Sequence, residues 1–189
     1  RFTNSFVANS ISGPSRACML TGKHSHANGF INNSTTFNGD QLTFPKLLQQ
    51  NGYQTAMIGK WHLVSDPQGF DHWEILPGQG DYYNPTFIQM NGERVQVEGY
   101  ATNIITDKAI DWIENQRDES KPFCMLLHHK APHRTWMPDT CDLELFADKT
   151  FPLPENFYDN YEGRLAAQKQ KMNIANDMEI VYDLKMADK

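Results

Sequence analysis

The chain's most restrictive feature is a run of apolar residues at positions 123–127, which has no charged or strongly polar side chain on either face. A strand of this kind is typical of a parallel sheet covered by helices on both sides. It follows a predicted helix over residues 102–116, where Ile105, Ala109 and Trp112 recur at the spacing of one helical face. A one-sided helix leading into such a strand predicts an α/β fold.

The remaining predicted elements are short and of mixed type. Strands are predicted at residues 2–8 and 53–58, and Asn91-Gly92 predicts a hairpin joining residues 87–90 and 94–97. Helices are predicted at residues 15–21, at residues 43–51 and from Tyr161 onward, and a Gly- and Pro-rich loop at residues 66–80. Within the last two helical regions, the positions expected to be buried are Leu47, Leu48, Leu165, Met172, Met178, Val181 and Leu184.

The composition excludes several classes of protein. Aromatic residues make up 12% of the 189 residues, too many for a disordered segment. The net charge is -6 with no basic block, so we expect no nucleic-acid partner. No apolar stretch approaches the roughly 18 residues that a membrane span needs. The three cysteines lie far apart and form no recognisable disulfide framework or metal motif.

Three polar clusters each follow a predicted strand. The first runs over residues 12–22, where Ser12 precedes a helix opened by Pro14. Unpaired backbone N–H groups and the positive end of the helix dipole collect an anion at such a place, and Arg16 could add a forked donor for a tetrahedral oxyanion. The alternative is that Ser12 and Ser15 only cap the helix and Arg16 is a surface cation.

The second cluster is Gly59-Lys60-Trp61-His62, directly after the predicted strand at residues 53–58. Lys60 and His62 are two residues apart, so in an extended segment they project to the same side and can face one ligand. The alternative is a solvated lysine and a partly buried histidine beside Trp61.

The third cluster, residues 128–138, holds five basic or titratable side chains in seven residues. It follows the apolar strand, and α/β sheets bind ligands at the carboxyl ends of their strands. Zinc is a rival interpretation because His129 and His133 are four residues apart, but Pro132 lies between them and no Glu completes a His-Glu-x-x-His motif.

The first cluster also carries a family resemblance. The eleven residues from Ser12 to Gly22 resemble the sulfatase motif, which has Cys or Ser, any residue, Pro, Ser, Arg, three residues, Leu, Thr and Gly. Sulfatases carry Gly-Lys-x-His and Ala-Pro-His at the places of the other two clusters. The resemblance implies an alkaline-phosphatase-like α/β fold with a mixed sheet flanked by helices. The stretches that look more narrowly like N-acetylglucosamine-6-sulfatases are Thr43-Phe-Pro, Gly52-Tyr-Gln-Thr, Tyr82-Tyr-Asn and the Asn91-Gly92 hairpin.

The resemblance implies a role for each matching residue. Ser12 matches the residue that a maturation enzyme oxidises to formylglycine, whose hydrated aldehyde attacks sulfur and then expels sulfate. Arg16 would hold the formylglycine and offset its charge. Lys60 and His62 would bind the sulfate and help a hydroxyl of the hydrate to lose its proton.

The third cluster supplies two further roles by the same resemblance. His133 matches the histidine beside the leaving oxygen and is the candidate general acid. Lys130 would touch the sulfate. Together the cations and the helix N-terminus would stabilise charge at a tetrahedral sulfuryl group.

The resemblance also implies a calcium ion. Most of the ligands that sulfatases use to hold it are not recognisable in this chain. Sulfatases hold Ca²⁺ with an upstream pair of Asp residues and a downstream Asp-Asn or Asp-His pair, and neither pair is recognisable here. Asp177 and Asp183 have helical neighbours and we expect them to be solvated. Ser12, as formylglycine, would be the one metal ligand in this chain. We therefore expect residues 1–189 to be an internal fragment of a catalytic domain, with metal-binding parts both upstream and downstream outside it.

The sequence thus predicts a sulfuric ester hydrolase that acts on a sulfated carbohydrate, with the 6-O-sulfate of N-acetylglucosamine as its target. The alternatives are a phosphodiesterase or phosphonate hydrolase of the same superfamily, and a sulfated-glycan-binding fragment that is inactive by itself. The resemblance implies a periplasmic or secreted location, or a lysosomal one in an animal.

Overall fold

The computed structural model describes residues 2–171, 173 and 177–184 of the chain. The chain forms two compact units, Arg1–Ala131 and Pro132–Lys189. The first unit contains a five-stranded sheet, and the second contains short helices and turns. No helix in the described ranges is long and apolar enough to cross a membrane.

The sheet of the first unit is mixed, as predicted. Its strands are β1 (Gln54–Lys60), β2 (His72–Leu76), β3 (Thr86–Gln89), β4 (Arg94–Gln96) and β5 (Phe123–His128), in the spatial order β4-β3-β2-β1-β5. Strand β1 runs parallel to both β2 and β5, while β3 and β4 form the predicted antiparallel hairpin. The carboxyl ends of β1, β2 and β5 therefore lie side by side at the same end of the sheet.

Three helices of this unit precede the first strand, and the fourth connects β4 to β5. They are α1 (Ser12–Thr21), α2 (Ser25–Asn28), α3 (Phe44–Gln50) and α4 (Ala101–Asp111), and α4 continues as a π-helix over Trp112–Gln116. Helix α1 begins earlier than predicted, at Ser12, and ends at Gly22, whose φ of 65° suits a C-terminal stop.

Apolar side chains cover both faces of the sheet, because successive strand residues point to opposite sides. On one face, the side chains that pack with α1 and its neighbours are Ala17, Leu20, Phe30, Phe37, Met57, Trp61, Leu63, Phe70, Trp73 and Ile75. On the other face, the side chains that pack with α4 are Ala56, Ile58, Leu76, Phe87, Ala101, Ile105, Ala109 and Trp112. The predicted apolar stripe of α4 is confirmed.

Two predicted elements of the first unit are wrong. Residues 2–8 form no strand, and Phe2 and Phe6 are 92% and 93% exposed, because no strand in the described ranges pairs with them. The predicted loop at residues 66–80 contains β2, since Trp73 and Ile75 pack into the core and outweigh the local excess of Gly and Pro.

Strand β5 is less buried than its sequence predicts. Phe123 and Leu127 are 41% and 39% exposed, because the strand order places β5 at an edge of the sheet. In α3, Leu47 is also exposed and Leu48 is half-buried, so only part of that predicted face is covered.

The second unit corrects the predicted long C-terminal helix. It contains a 3₁₀ turn (Thr140–Asp142) and two five-residue helices, α5 (Leu165–Lys169) and α6 (Ile180–Leu184). Leu165, Val181 and Leu184 are exposed, Met178 is half-buried, and Met172 lies outside the described residues.

The buried residue of α6 is Asp183, which we expected to be solvated. Its carboxylate accepts hydrogen bonds from Nε and NH2 of Arg134, at 2.7 Å to Oδ1 and 2.6 Å to Oδ2. A forked pair of this kind satisfies a buried carboxylate, so the buried side of α6 is polar rather than apolar.

Candidate functional site

The end of β1 carries two of the predicted site residues, and its geometry depends on Gly59. The φ of Gly59 is 102°, and a Cβ there would lie 2.0 Å from the carbonyl oxygen of His128 in β5. Both facts require glycine at this position. The strand register pairs Gly59 with His128, which brings the end of β5 beside Lys60.

Ser12 and His62 are in direct contact. The Oγ of Ser12 lies 2.9 Å from Nδ1 of His62. Helix α1 is preceded by Ile11 at its N-cap, and no side chain caps it, so the interpretation of Ser12 as a capping residue is wrong. The backbone of His62 is left-handed, with a φ of 60°. Non-glycine residues held in this region cluster at functional sites.

The residue after Ser12 is packed too tightly to carry a side chain. A Cβ on Gly13 would lie 2.7 Å from Oδ1 of Asn33 and 2.8 Å from the ring of Phe30. The N–H of Gly13 donates to the same Asn33 oxygen at 3.1 Å. These contacts fix the first turn of α1, and with it the position of Ser12.

Arg16 lies one turn further along α1 and joins it to two strands. Its NH1 donates to the carbonyl oxygen of Lys60 at 2.8 Å and lies 2.7 Å from Nδ1 of His128. A guanidinium only donates, so Nδ1 of His128 accepts from it, although the same Nδ1 also lies 3.1 Å from the carbonyl oxygen of Lys60. Burial and the charge of Arg16 lower the pKa of His128 to about 4. Arg16 is thus an internal connection and not a surface cation.

Two lysine side chains are buried beside these residues. Lys60 is 3% exposed and Lys130 is 8% exposed. Burial, and then the charges of Arg16 and Lys130, lower the pKa of Lys60 to about 8. Burial also lowers the pKa of Lys130, whose Nζ lies 4.6 Å from the centroid of the Tyr82 ring. Burial and mutual repulsion both disfavour the charged forms of these lysines. A bound anion would offset this cost, so the site favours anion binding.

Gln79 connects the two lysines with His62. Its Oε1 accepts a hydrogen bond from Nζ of Lys60, its Nε2 lies 3.3 Å from Nε2 of His62, and its carbonyl oxygen accepts from Nζ of Lys130 at 3.3 Å. Five of the predicted residues therefore belong to one network of contacts, completed by Gln79 and His128. Its members from the prediction are Ser12, Arg16, Lys60, His62 and Lys130.

Sequence reasoning missed two members of this network. His128 belongs to the third cluster, but the sequence assigned it no role. The signal that could have identified it is its position at the carboxyl end of the apolar strand, β5, which pairs with β1. Gln79 follows β2 in a segment predicted to be loop, and no motif marks it. Recognising β2 would have placed Gln79 at the same sheet edge as Lys60.

His133, the sixth predicted residue, lies in the second unit. Its Nδ1 contacts the carbonyl oxygen of Arg134, the next residue. The role of His133 stays a prediction.

The described residues do not fit the expected calcium ion. No group of three His, Cys, Asp or Glu side chains among them could hold a metal, which also leaves zinc without support. Ca²⁺ takes six to eight oxygen ligands, whereas Ser12 contacts an imidazole and its network is cationic. We therefore assign no step to calcium in this chain.

A half-buried serine at a helix N-terminus, a histidine in contact with it and a group of desolvated cations define an anion-binding site at the strand ends of an α/β fold. The sulfatase sequence profile matches residues 1–178, and the chain belongs to the sulfatase family. The family and fold predictions are confirmed.

Two relatives of the chain are named as N-acetylglucosamine sulfatases, and they differ in how similar they are to it. The chain is 60% identical over 190 residues to the N-acetylglucosamine-6-O-sulfatase of Bacteroides thetaiotaomicron and 27% identical over 181 residues to the N-acetylglucosamine-6-sulfatase of Capra hircus. These matches cover 98% and 82% of this chain but 34% and 32% of the relatives. The chain therefore spans about a third of the length of the curated relatives it matches.

A solved structure is also similar to this chain over its whole length. The structure of BT4656 in complex with its substrate D-glucosamine-2-N,6-O-disulfate aligns with a TM-score of 0.91 at 59% identity. The alignment covers 100% of this chain and 39% of the solved chain.

Proposed function

We propose that this protein is a sulfuric ester hydrolase that removes the 6-O-sulfate from an N-acetylglucosamine residue of a sulfated glycan. The observation that carries the proposal is the 2.9 Å contact between Ser12 and His62 beside the buried Lys60 and Lys130. The names of the relatives at 60% and 27% identity, and the sulfated glucosamine bound by BT4656, support the choice of sugar.

Lys60 and Lys130 bind oxygens of the transferred sulfuryl group in this proposal. Their ammonium groups are already desolvated, so they interact more strongly with an anion than exposed lysines would. His62 holds the oxygen on residue 12 by a hydrogen bond. Arg16 fixes the distance between α1 and the ends of β1 and β5, and adds positive charge beside residue 12.

We further propose that Ser12 is converted to formylglycine by a maturation enzyme. A serine hydroxyl is a weak nucleophile, and the modification supplies a hydrated aldehyde whose hydroxyl is suited to attack sulfur. The site fits it, because Ser12 is half-buried and lies at the start of α1, where its hydroxyl is in contact with His62. His133 is the proposed acid for the leaving sugar oxygen, on the family resemblance alone.

Residues 1–189 are proposed to be part of the catalytic domain and inactive alone. The support is that the chain spans about a third of its curated relatives and that its described residues bring no group of metal-binding carboxylates together. Turnover of a sulfated sugar by the purified 189-residue chain, with contaminating sulfatase excluded, would show this part of the proposal to be wrong. A periplasmic or secreted location, or a lysosomal one in an animal, follows the same family resemblance.

The substrate is tested with the full-length, modified protein. A panel of mono- and disaccharides sulfated at single positions should show turnover at O6 of N-acetylglucosamine, and a preference for a 2-O-sulfate would contradict the proposal. Parallel rates on an aryl sulfate and an aryl phosphate diester distinguish a sulfatase from a phosphodiesterase.

The modification is tested by the mass of the peptide that contains Ser12, isolated from the native source. Conversion of serine to formylglycine removes two hydrogens, and hydration adds one water. Finding only unmodified serine would exclude the formylglycine. The matched control is the peptide with Ser15, which lies in the same helix and should keep its serine mass.

A further inference from the structure

Gln79 is placed beside Lys60 by the sheet and by a tight turn. The register of β1 and β2 pairs Lys60 with Leu76, so the residues that follow Leu76 pass over the end of β1. The N–H of Gly80 donates to the carbonyl oxygen of Pro77 at 2.9 Å and closes the turn. The half-buried Gln79 is held inside this turn.

The contacts of Gln79 fix which way its side-chain amide faces. The ammonium of Lys60 has donors and no acceptor, so the atom that meets Lys60 must be the amide oxygen, Oε1. The amide nitrogen, Nε2, then faces Nε2 of His62 at 3.3 Å. An amide NH₂ only donates, so Nε2 of His62 must be the acceptor.

The geometry points to Gln79 as a positioning residue that fixes the tautomer of His62. With Nε2 accepting, the neutral imidazole carries its proton on Nδ1, and Nδ1–H donates to the oxygen on residue 12 at 2.9 Å. The hydrogen bonds thus run in one direction, from Lys60 through Gln79 and His62 to Ser12. None of the three sequence motifs includes Gln79.

The tautomer of His62 decides how it can act on residue 12 in the reaction, a point that rests on the proposed function. A neutral His62 with its proton on Nδ1 cannot accept a proton from residue 12. It can stabilise negative charge on that oxygen by donation. While residue 12 is an unmodified serine, His62 is therefore a hydrogen-bond donor to it.

The tautomer can be measured without any turnover. The probe is ¹⁵N-labelled histidine in the full-length protein with serine at position 12, and the signals of His62 are assigned by their loss in His62→Gln. At a pH where His62 is neutral, we expect a protonated Nδ1 and an unprotonated Nε2. A proton on Nε2 in the unaltered protein overturns the inference.

Two variants test whether Gln79 causes the preference. Gln79→Glu replaces the amide by a carboxylate of the same length that only accepts, so we expect Nε2 of His62 to become protonated. Gln79→Met keeps the length without donating or accepting, so we expect both tautomers to be populated. An unprotonated Nε2 in both variants overturns the inference. Gln50→Glu, at an exposed position at the end of α3, is the control for the added charge.

Turnover is a separate measurement on the full-length, modified protein. We expect Gln79→Glu to lower kcat by at least about tenfold, the order of a lost donor interaction, and also to raise KM, because its carboxylate faces Lys60, the proposed sulfate ligand. A substrate other than a sulfate ester would contradict the proposed function and leave the measured tautomer standing. An altered tautomer with unchanged kcat on a sulfate ester would overturn the role of Gln79 in the reaction.

Discussion

The guanidinium of Arg16 lies 2.7 Å from Nδ1 of His128, a residue 112 positions further along the chain. The same NH1 donates to the carbonyl oxygen of Lys60. One side chain thus connects a helix to two parallel strands at the edge where the site lies.

Arg16→Met should therefore lower stability. The carbonyl oxygen of Lys60 and Nδ1 of His128 would both lose their donor, at a cost of about 2 to 3 kcal/mol for hydrogen bonds to a charged group. Urea denaturation of the full-length protein measures the change. Arg94→Met, which removes an exposed arginine on β4, is the control and should stay within about 0.5 kcal/mol. Equal effects of the two variants would contradict the role given to Arg16.

His128 should make stability depend on pH below neutrality. Its pKa is lowered to about 4 by burial and by Arg16, against about 6.5 in the unfolded chain. Neutral His128 therefore contributes its full stability above pH 6.5, and this contribution is lost as the pH falls toward 4. The loss is about 1 to 3 kcal/mol.

Unfolding curves between pH 7 and pH 4 measure this loss. His128→Asn keeps an acceptor for Arg16 but cannot titrate, so its stability should vary less over this range. The exposed His24 is the matched control: His24→Asn should keep the pH dependence of the unaltered protein. A His128→Asn profile parallel to the unaltered one would show that another group is responsible.

Lys60 should make anion binding weaken above pH 8. Burial and the charges of Arg16 and Lys130 lower its pKa to about 8, so the ammonium loses its proton above that value. A bound sulfate favours the charged form and raises this pKa, so binding at pH 9 should take up a proton. The dissociation constant for inorganic sulfate should rise by up to about tenfold per pH unit above pH 8.

Calorimetry in two buffers of different ionisation enthalpy measures both the affinity and the proton uptake. Lys60→Arg keeps its charge over this range, so its affinity should no longer change between pH 7 and pH 9. An affinity of the unaltered protein that is constant from pH 7 to pH 9 would contradict the assignment of Lys60 to the anion site.

Gly59→Ala should be strongly destabilising. The new Cβ would lie 2.0 Å from the carbonyl oxygen of His128, and the φ of 102° is one that alanine avoids. We expect a loss of at least about 3 kcal/mol, measured as the shift in the urea midpoint. Gly92→Ala provides the comparison, because Gly92 has a φ of 84° and no atom within 4 Å of its added Cβ. It should lose only about 1 to 2 kcal/mol, the cost of the left-handed backbone. Similar losses in both variants would rule out a steric role for the contact with β5.

The sequence predicts those parts of the fold that depend on local pattern. The apolar stripe of α4 and the hairpin at Asn91-Gly92 are both set by residues close together in the chain, and both are confirmed. Strand β2 was missed because Trp73 and Ile75 are recruited by the core from a stretch whose composition is typical of a loop. The exposure of β5 depends on its place at the sheet edge, which no local pattern encodes.

The site follows the same division. Ser12, Arg16, Lys60, His62 and Lys130 could be predicted because three motifs mark them. Gln79 could not, because its position follows from the pairing of Lys60 with Leu76 and from the turn after β2. His128 and the direction of the Arg16 side chain likewise depend on the close approach of β5 to Gly59.

Lys60 takes part in the site through two chemically separate groups. Its carbonyl oxygen holds Arg16, while its ammonium donates to Gln79. Because every amino acid has the carbonyl, side-chain variants at position 60 leave the connection between α1 and β1 in place. Substitutions of Lys60 therefore change the anion's electrostatic environment and spare the frame, whereas substitutions of Arg16 change both.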